Sequence, residues 1–326
     1  MPSEPGWQVV PALQPDPKDY AFDLDAALSA VVSLKAKVPK DAFTAGILGT
    51  ERSGSGVMIE RSGLILTVGY LITEAETIWL GLSDGRTVPG HALGYDQTTG
   101  FGLVQALARI DAPALPIGSA GSLPVGAKVV IGSAGGRARA TASAIVGRQE
   151  FSGYWEYLID EAIFTAPAHP FWGGAAMIGP NGDLCGIASL RLDQPAGGEE
   201  GERQINMVVP IDLLAPIHDD LRAFGRPQGP ARPWLGVYAV EVDGKVLLAG
   251  LAEDGPAEAA GLSAGDTIVA VGDKEVSTLA EFYRALWGLG EAGVVAPLSI
   301  LRDGDSLSIE VRSTDRHQLL KAPSLH

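Results

Sequence analysis

Interruption constrains this chain more than any other feature. Its 326 residues include 42 glycines and 22 prolines, spread along the whole length, and they cut it into short apolar runs. Such runs suit strands joined by turns rather than long helices. Thr77 to Leu82, then Ser83-Asp84-Gly85, then Arg86-Thr87-Val88 is a hairpin signal, because Asp-Gly supplies the positive φ of a tight turn. Further strand runs are read at Gly102 to Ala106, Lys128 to Gly132, Tyr157 to Ile159, Leu184 to Ala188 and Met207 to Val209. Their spacing predicts a pair of β-barrels rather than alternating βα units. One short helix is expected over Asp25 to Lys37, with Leu28, Val31 and Val32 at helical spacing, and another over Pro210 to Phe224. Gly225 to Pro233 is rich in breakers and reads as a linker. A second unit then begins at Trp234. It has strands near Val246 to Leu251 and Thr267 to Val271, a helix near Thr278 to Trp287, and a hairpin from Leu298 to Val311 turning at Asp303-Gly304. The expected class is mainly β. The expected division is an N-terminal arm and short helix over 1–40, a barrel domain over 41–224, a linker over 225–233, a second domain over 234–313 and a tail over 314–326.

Bulk chemistry removes several function classes. With 24 basic and 39 acidic residues the net charge is −15, and no Lys/Arg cluster is present to displace counterions from a nucleic acid or to hold an anionic membrane surface. No stretch reaches the ~18 apolar residues that span a bilayer. Residues 1–17 contain no Lys or Arg, which argues against a signal peptide, so a cytoplasmic location is expected with a periplasmic one left open. Cys185 is the single cysteine; no internal disulfide can form, and its strand-like context reads as a core thiol. No His/Cys group has metal-ligand spacing and no Gly-rich phosphate loop follows a strand. Neither a metal nor a cofactor is expected.

Ordered motifs carry a family resemblance. Gly54-Ser55-Gly56-Val57, Gly63-Leu64-Ile65-Leu66-Thr67, Leu82-Ser83-Asp84-Gly85-Arg86, Leu115-Pro116-Ile117-Gly118 and Leu123-Pro124-Val125-Gly126, and Val209-Pro210-Ile211 resemble an HtrA-type (DegP-like) serine protease. Gly255-Pro256-Ala257-Glu258-Ala259-Ala260-Gly261-Leu262 with Ser263-Ala264-Gly265-Asp266 is similar to the hallmark of the PDZ domains fused to such proteases. The likeness covers about residues 25 to 313 and implies a trypsin-like double β-barrel followed by a PDZ domain. Carried over position by position, it puts the family's histidine at Tyr70, its acidic triad member at Gly100 and its nucleophile at Gly173. The oxyanion-loop glycine falls on Phe171.

A serine hydroxyl needs a base to take its proton and an acid to orient that base. Gly173 has no side chain to attack with, Gly100 orients nothing, and the Tyr70 phenol is a poor base at neutral pH. Losing the nucleophile or base costs on the order of 10⁶ in rate. The expectation is therefore a non-enzyme, a pseudoprotease with no catalytic residues. Phe171, Trp172 and Tyr70 either fill the old cleft or are ordinary core and surface residues. A relocated centre using His169 with Ser152 or Ser189 is the minor alternative.

By the same resemblance, Trp234-Leu235-Gly236-Val237 is the PDZ loop, whose amides at Leu235, Gly236 and Val237 would hold a peptide's terminal carboxylate. Leu279, Phe282 and Leu286, three to four apart on one helix face, would form the pocket for its last side chain, or else belong to the domain's core. The favoured function is an adaptor or regulator that captures a peptide or protein C-terminus, with an active relative as a partner. A homotrimer is implied by the family. A structural or assembly protein without a peptide ligand, and an unconventional serine endopeptidase, are the alternatives.

Overall fold

The computed structural model describes residues 7–195 and 202–321; the parts of the expected N-terminal arm and tail at residues 1–6 and 322–326 lie outside them. Contacts divide the chain into two units: Met1–Gln149 with Glu161–Gln228 and Lys321–His326, and Glu150–Asp160 with Gly229–Leu320.

In the first unit, α1 (Leu24–Ser29) leads into β1 (Val31–Lys37), and α2 (Ala45–Leu48) into β2 (Glu51–Glu60) and β3 (Leu64–Val68). β4 (Thr77–Gly81), β5 (Thr87–Tyr95) and β6 (Phe101–Ala106) complete a closed barrel in the order β1-β2-β3-β6-β5-β4. Closure leaves no strand edge to protect. Both faces of its strands are covered: Val31, Leu34, Met58, Leu64, Leu66, Leu80 and Phe101 are all essentially without solvent exposure. The second barrel runs β10-β11-β12-β9-β8-β7, from β7 (Lys128–Gly132), β8 (Ala140–Gly153), β9 (Tyr157–Ala166), β10 (Ala176–Ile178), β11 (Leu184–Pro195) and β12 (Glu202–Pro210). Val129, Ile131, Ile145, Ile163, Met177 and Val208 fill it together with Cys185. Burial and the neighbouring Asp183 push the Cys185 thiol up to about 12, which suits a core residue rather than a nucleophile.

Two helix readings need correction. The single helix read over 25–37 ends at Ser29. The Asp23 carboxylate caps it by accepting from the Ala26 amide at 3.0 Å, and from Val31 onward the chain is a strand paired with both β2 and β4. Val31 and Val32 matched a helical spacing, but β-branched side chains favour the pleated surface they occupy here. The helix read over 210–224 is two pieces, a 3₁₀ turn at Ile211–Leu213 and α3 (His218–Phe224). Pro216 between them cannot donate a helical hydrogen bond. Asp212 is occupied elsewhere, taking the Ser119 hydroxyl at 2.6 Å and the Ala120 amide at 2.7 Å.

The second unit is a sheet in the order β13-β14-β15-β17-β18, with β16 paired to β15. Its strands are β13 (Val237–Val242), β14 (Lys245–Leu251), β15 (Thr267–Val271), β16 (Lys274–Glu275), β17 (Val295–Arg302) and β18 (Asp305–Arg312), and its helices are α4 (Pro256–Ala259) and α5 (Leu279–Trp287). α5 starts where the sequence signals it: Thr278 and Glu281 form a reciprocal capping box. Its face bearing Leu279, Phe282, Tyr283 and Leu286 is buried against Val237, Leu248, Ile268 and Ile300. Beyond β18, Thr314 pairs with Trp234 through both backbone bonds, at 3.0 and 3.1 Å.

Candidate functional site

The barrels build one cleft within the first unit. Behind β3 a 3₁₀ turn at Gly69–Leu71 presents Tyr70, and the Gly69 amide donates to the Gly100 carbonyl at 2.7 Å. A Cβ on Gly173 would stand 2.9 Å from the Tyr70 hydroxyl oxygen. The three positions aligned by resemblance therefore do converge in space. The Tyr70 hydroxyl donates to the Ser189 carbonyl at 2.8 Å, and burial pushes its pKa further above the ordinary phenol value, against a hydrogen bond with Trp172. Such a phenol holds its proton.

Aromatic residues shape the rest of the cleft. Trp7 packs edge-on against Phe171 at 4.4 Å and against His169 at 6.0 Å, and the Arg191 guanidinium sits 4.9 Å above the Trp172 ring. An open space of about 500 Å³ remains, bordered by Tyr70, Arg139, Phe171, Trp172 and Arg191 among others. Phe171 donates its amide to His169 Nδ1 at 3.0 Å, so that donor is already engaged inside the protein. With Nδ1 accepting, Nε2 carries the proton and donates to the Arg139 carbonyl at 2.9 Å. Burial lowers the His169 pKa, so the ring is neutral and both nitrogens are occupied.

The second unit holds a differently constructed site. The amides of Leu235, Gly236 and Val237 converge on the carboxylate of Glu156. Gly236 and Val237 donate to Oε1 at 2.8 and 3.1 Å, and Leu235 reaches Oε1 at 3.1 Å and Oε2 at 3.2 Å. The loop can do this because Gly236 has a φ of +80°; a Cβ there would also meet the Trp234 ring at 2.9 Å. Glu156 lies between β8 and β9, in the 150–160 segment that belongs to this unit. Its side chain is buried and its own φ is +58°, the left-handed region. Burial pushes its pKa up to about 7, opposed by the three amides and by the positive charge of Arg316. The apolar trio Leu279, Phe282 and Leu286 is buried in one cluster with Leu158 of the same segment.

All six sequence-predicted binding residues thus sit in one unit, and three of them hold a carboxylate that the sequence does not announce. Its signal was thin: a glutamate in a turn between Trp155 and Tyr157, which only a partner about 80 positions away gives meaning.

Comparison with known proteins follows this division. Residues 54–187 match the trypsin-like peptidase domain and residues 233–312 the PDZ domain. A DegP-like periplasmic serine endoprotease of Pseudomonas fulva is 28% identical over 271 residues, covering 79% of this chain and 55% of the relative. One of Hahella chejuensis is 27% identical over 274 residues, covering 80% and 56%. The chain thus spans about half the length of these curated relatives. Among solved structures, the HtrA-type protease AlgW with a decapeptide gives a TM-score of 0.53 at 21% identity, covering 93% of this chain and 100% of that one. The serine endoprotease from Yersinia pestis gives 0.51 at 22%, covering 90% and 98%. Likeness at this level shows the fold, a mainly β trypsin-like domain with a PDZ domain.

Two expectations are corrected. The relatives are named serine endoproteases, which points to an enzyme and overturns the non-enzyme reading. They are also named periplasmic, which overturns the cytoplasmic one. Residue types at three aligned positions were a narrower basis than the relatives supply, and a chain's own first residues are a poor guide to compartment. No helix among the described residues is long and apolar enough to cross a membrane.

Proposed function

We propose that this chain, an HtrA-type arrangement of a trypsin-like peptidase domain and a PDZ domain, recognises the terminal carboxylate of a peptide or protein through Leu235, Gly236 and Val237. The observation that supports this is their grip on the Glu156 carboxylate. Three aligned backbone donors read a negative charge rather than a side chain, and charge-assisted bonds of this kind are about twice as strong as neutral ones. Leu279, Phe282 and Leu286 supply the apolar surface for the residue that carries the carboxylate, and β13 offers backbone groups for an added strand.

Capture of such a tail is proposed to regulate the barrel domain, in the periplasmic setting named for the relatives. Tyr70, Gly100 and Gly173 are proposed to carry no catalytic group, and Phe171 no oxyanion donor, so a hydrolytic nucleophile of this chain would lie elsewhere. Fluorophosphonate labelling with peptide mapping would identify that serine, and a label traced to residues beside Tyr70 and Gly173 would overturn this assignment. The homotrimer belongs to the same proposal, and sedimentation equilibrium would test it.

Carboxylate recognition is tested by fluorescence anisotropy on the full chain, using decapeptides ending in Tyr-Trp-Leu with free or amidated C-termini. Binding that needs the free carboxylate is the expected result; equal binding of both forms would overturn it.

A further inference from the structure

We infer that the PDZ groove is closed by the chain itself: residues 150–160 occupy it as an internal ligand, with the Glu156 side-chain carboxylate standing where a peptide's terminal carboxylate would bind. This rests on the carboxylate-recognition reading above and adds to it an occupant and a competition.

The segment engages the groove at several points along its length. Besides the amides on Glu156, the Ala239 amide of β13 donates to the Tyr154 carbonyl at 2.9 Å, two residues before the carboxylate. That is a strand-like backbone bond of the kind an added peptide would make. From α5, the Tyr283 hydroxyl donates to the Gly153 carbonyl at 2.8 Å and accepts from the Glu156 amide at 3.3 Å. Leu158 joins the apolar cluster of Leu235, Val237, Leu279, Phe282 and Leu286. The Tyr154 ring packs edge-on to Tyr238 of β13 at 6.1 Å. At the open end of the segment, Arg284 of α5 pairs with Glu150 at 2.6 Å and with Asp160.

Carboxylate, backbone and apolar pocket are thus satisfied together by one stretch of this chain. Glu156 adopts a left-handed φ that a β-substituted residue enters at a cost. That conformation delivers its carboxylate to the amides. An external tail must displace the segment before it binds, so its apparent affinity is reduced by the fraction of molecules in which the groove is open. The ligand class is a peptide with a free C-terminal carboxylate, an apolar last residue and an aromatic residue two positions before it, matching Leu158 and Tyr154.

The test measures affinity of the free-carboxylate Tyr-Trp-Leu decapeptide for the full chain, for Glu156→Ala, for the isosteric Glu156→Gln and for Arg284→Ala, with thermal melting to establish that each is folded. Glu156→Ala is expected to bind about tenfold to a hundredfold more tightly than the unaltered chain. Glu156→Gln, which keeps an acceptor oxygen in a permanently neutral side chain, is expected to hold the groove closed as the protonated glutamate does and to bind no more tightly than the unaltered chain. Arg284→Ala, which loosens the segment without touching the amides, is expected to gain severalfold. If Glu156→Ala does not fold, the other two variants carry the test. Equal affinity across all folded variants would overturn the internal ligand while leaving the carboxylate site intact. No binding by any folded variant would overturn the carboxylate site itself, and the internal ligand with it.

Discussion

Glu74 of the barrel unit and Glu156 of the PDZ unit are the same device with opposite electrostatics. Each is 5% exposed, and each has a left-handed φ, +61° and +58°. Each carboxylate is gripped by backbone amides from elsewhere in its unit. Glu74 takes the amides of Phe43 at 3.0 Å, Thr44 at 2.7 Å and Lys321 at 3.0 Å, and also the Thr44 hydroxyl at 2.6 Å. Burial pushes both pKa values up. At Glu74 the donors outweigh it and the group stays below its ordinary value. At Glu156, three amides and Arg316 do not, and the group rises to about 7. A carboxylate with its donors in surplus is a permanent staple. One whose burial is undercompensated releases more readily, as a displaceable ligand must.

Removing each carboxylate sharpens this contrast. Glu74→Ala strips an acceptor from a buried hydroxyl and several amides, and about 3 kcal/mol or more of barrel-unit stability is expected to be lost in denaturant unfolding. Glu156→Ala is expected to cost the PDZ unit less, about 1–2 kcal/mol, while raising peptide affinity. Equal losses at both positions would break the distinction between staple and displaceable ligand.

Protonation separates them next. Glu74, with its lowered pKa, contributes stability that is present above its unfolded value of about 4.5 and lost as pH falls through the lower folded value. Glu156 runs the other way. Its raised pKa means that the closed groove takes up a proton, so closure is strongest below about 4.5 and weakens as pH rises towards about 7. Peptide affinity should therefore climb, by at most about three hundredfold, between these values and level off above them. The groups facing Glu156 are Arg316, Tyr283 and Tyr238. The tyrosines, both pushed up by burial, stay neutral across this window. An affinity flat from pH 4.5 to 7.5 would count against the assignment.

The smallest expected effect is in the barrel cleft. Gly173→Ala places a methyl 2.9 Å from the Tyr70 hydroxyl, and about 1 kcal/mol of destabilisation is expected. Tyr70→Phe should remove most of that penalty in a double-mutant cycle, since it deletes the contacted oxygen. An additive cycle would show that the two residues do not touch.

Legibility in the sequence tracked how local each signal was. The Asp84-Gly85 turn, the Thr278/Glu281 cap and the Trp234–Val237 loop are short motifs with their own physics, and each was readable before the fold was known. Val31 and Val32 misled because spacing matched a helix while β-branching and pairing with two neighbouring strands favoured β1. In the cleft, the convergence of Tyr70, Gly100 and Gly173 followed from motif order alone. Engagement of the Phe171 amide by His169 did not, since it depends on the ring's tautomer and burial. Glu156 was invisible for the same reason. A glutamate in a turn is ordinary until the chain brings to it three amides from a loop about 80 positions away in the same unit.

The most direct measurement follows the amide resonances of Leu235, Gly236 and Val237 through a pH titration of the full chain, alongside the Glu156 side-chain carboxyl carbon. The expected result is that all four titrate together with a midpoint near 7, and that the three amides stop titrating in Glu156→Gln. Amides that do not move with pH, or that titrate unchanged without the Glu156 carboxylate, would contradict its place in the groove.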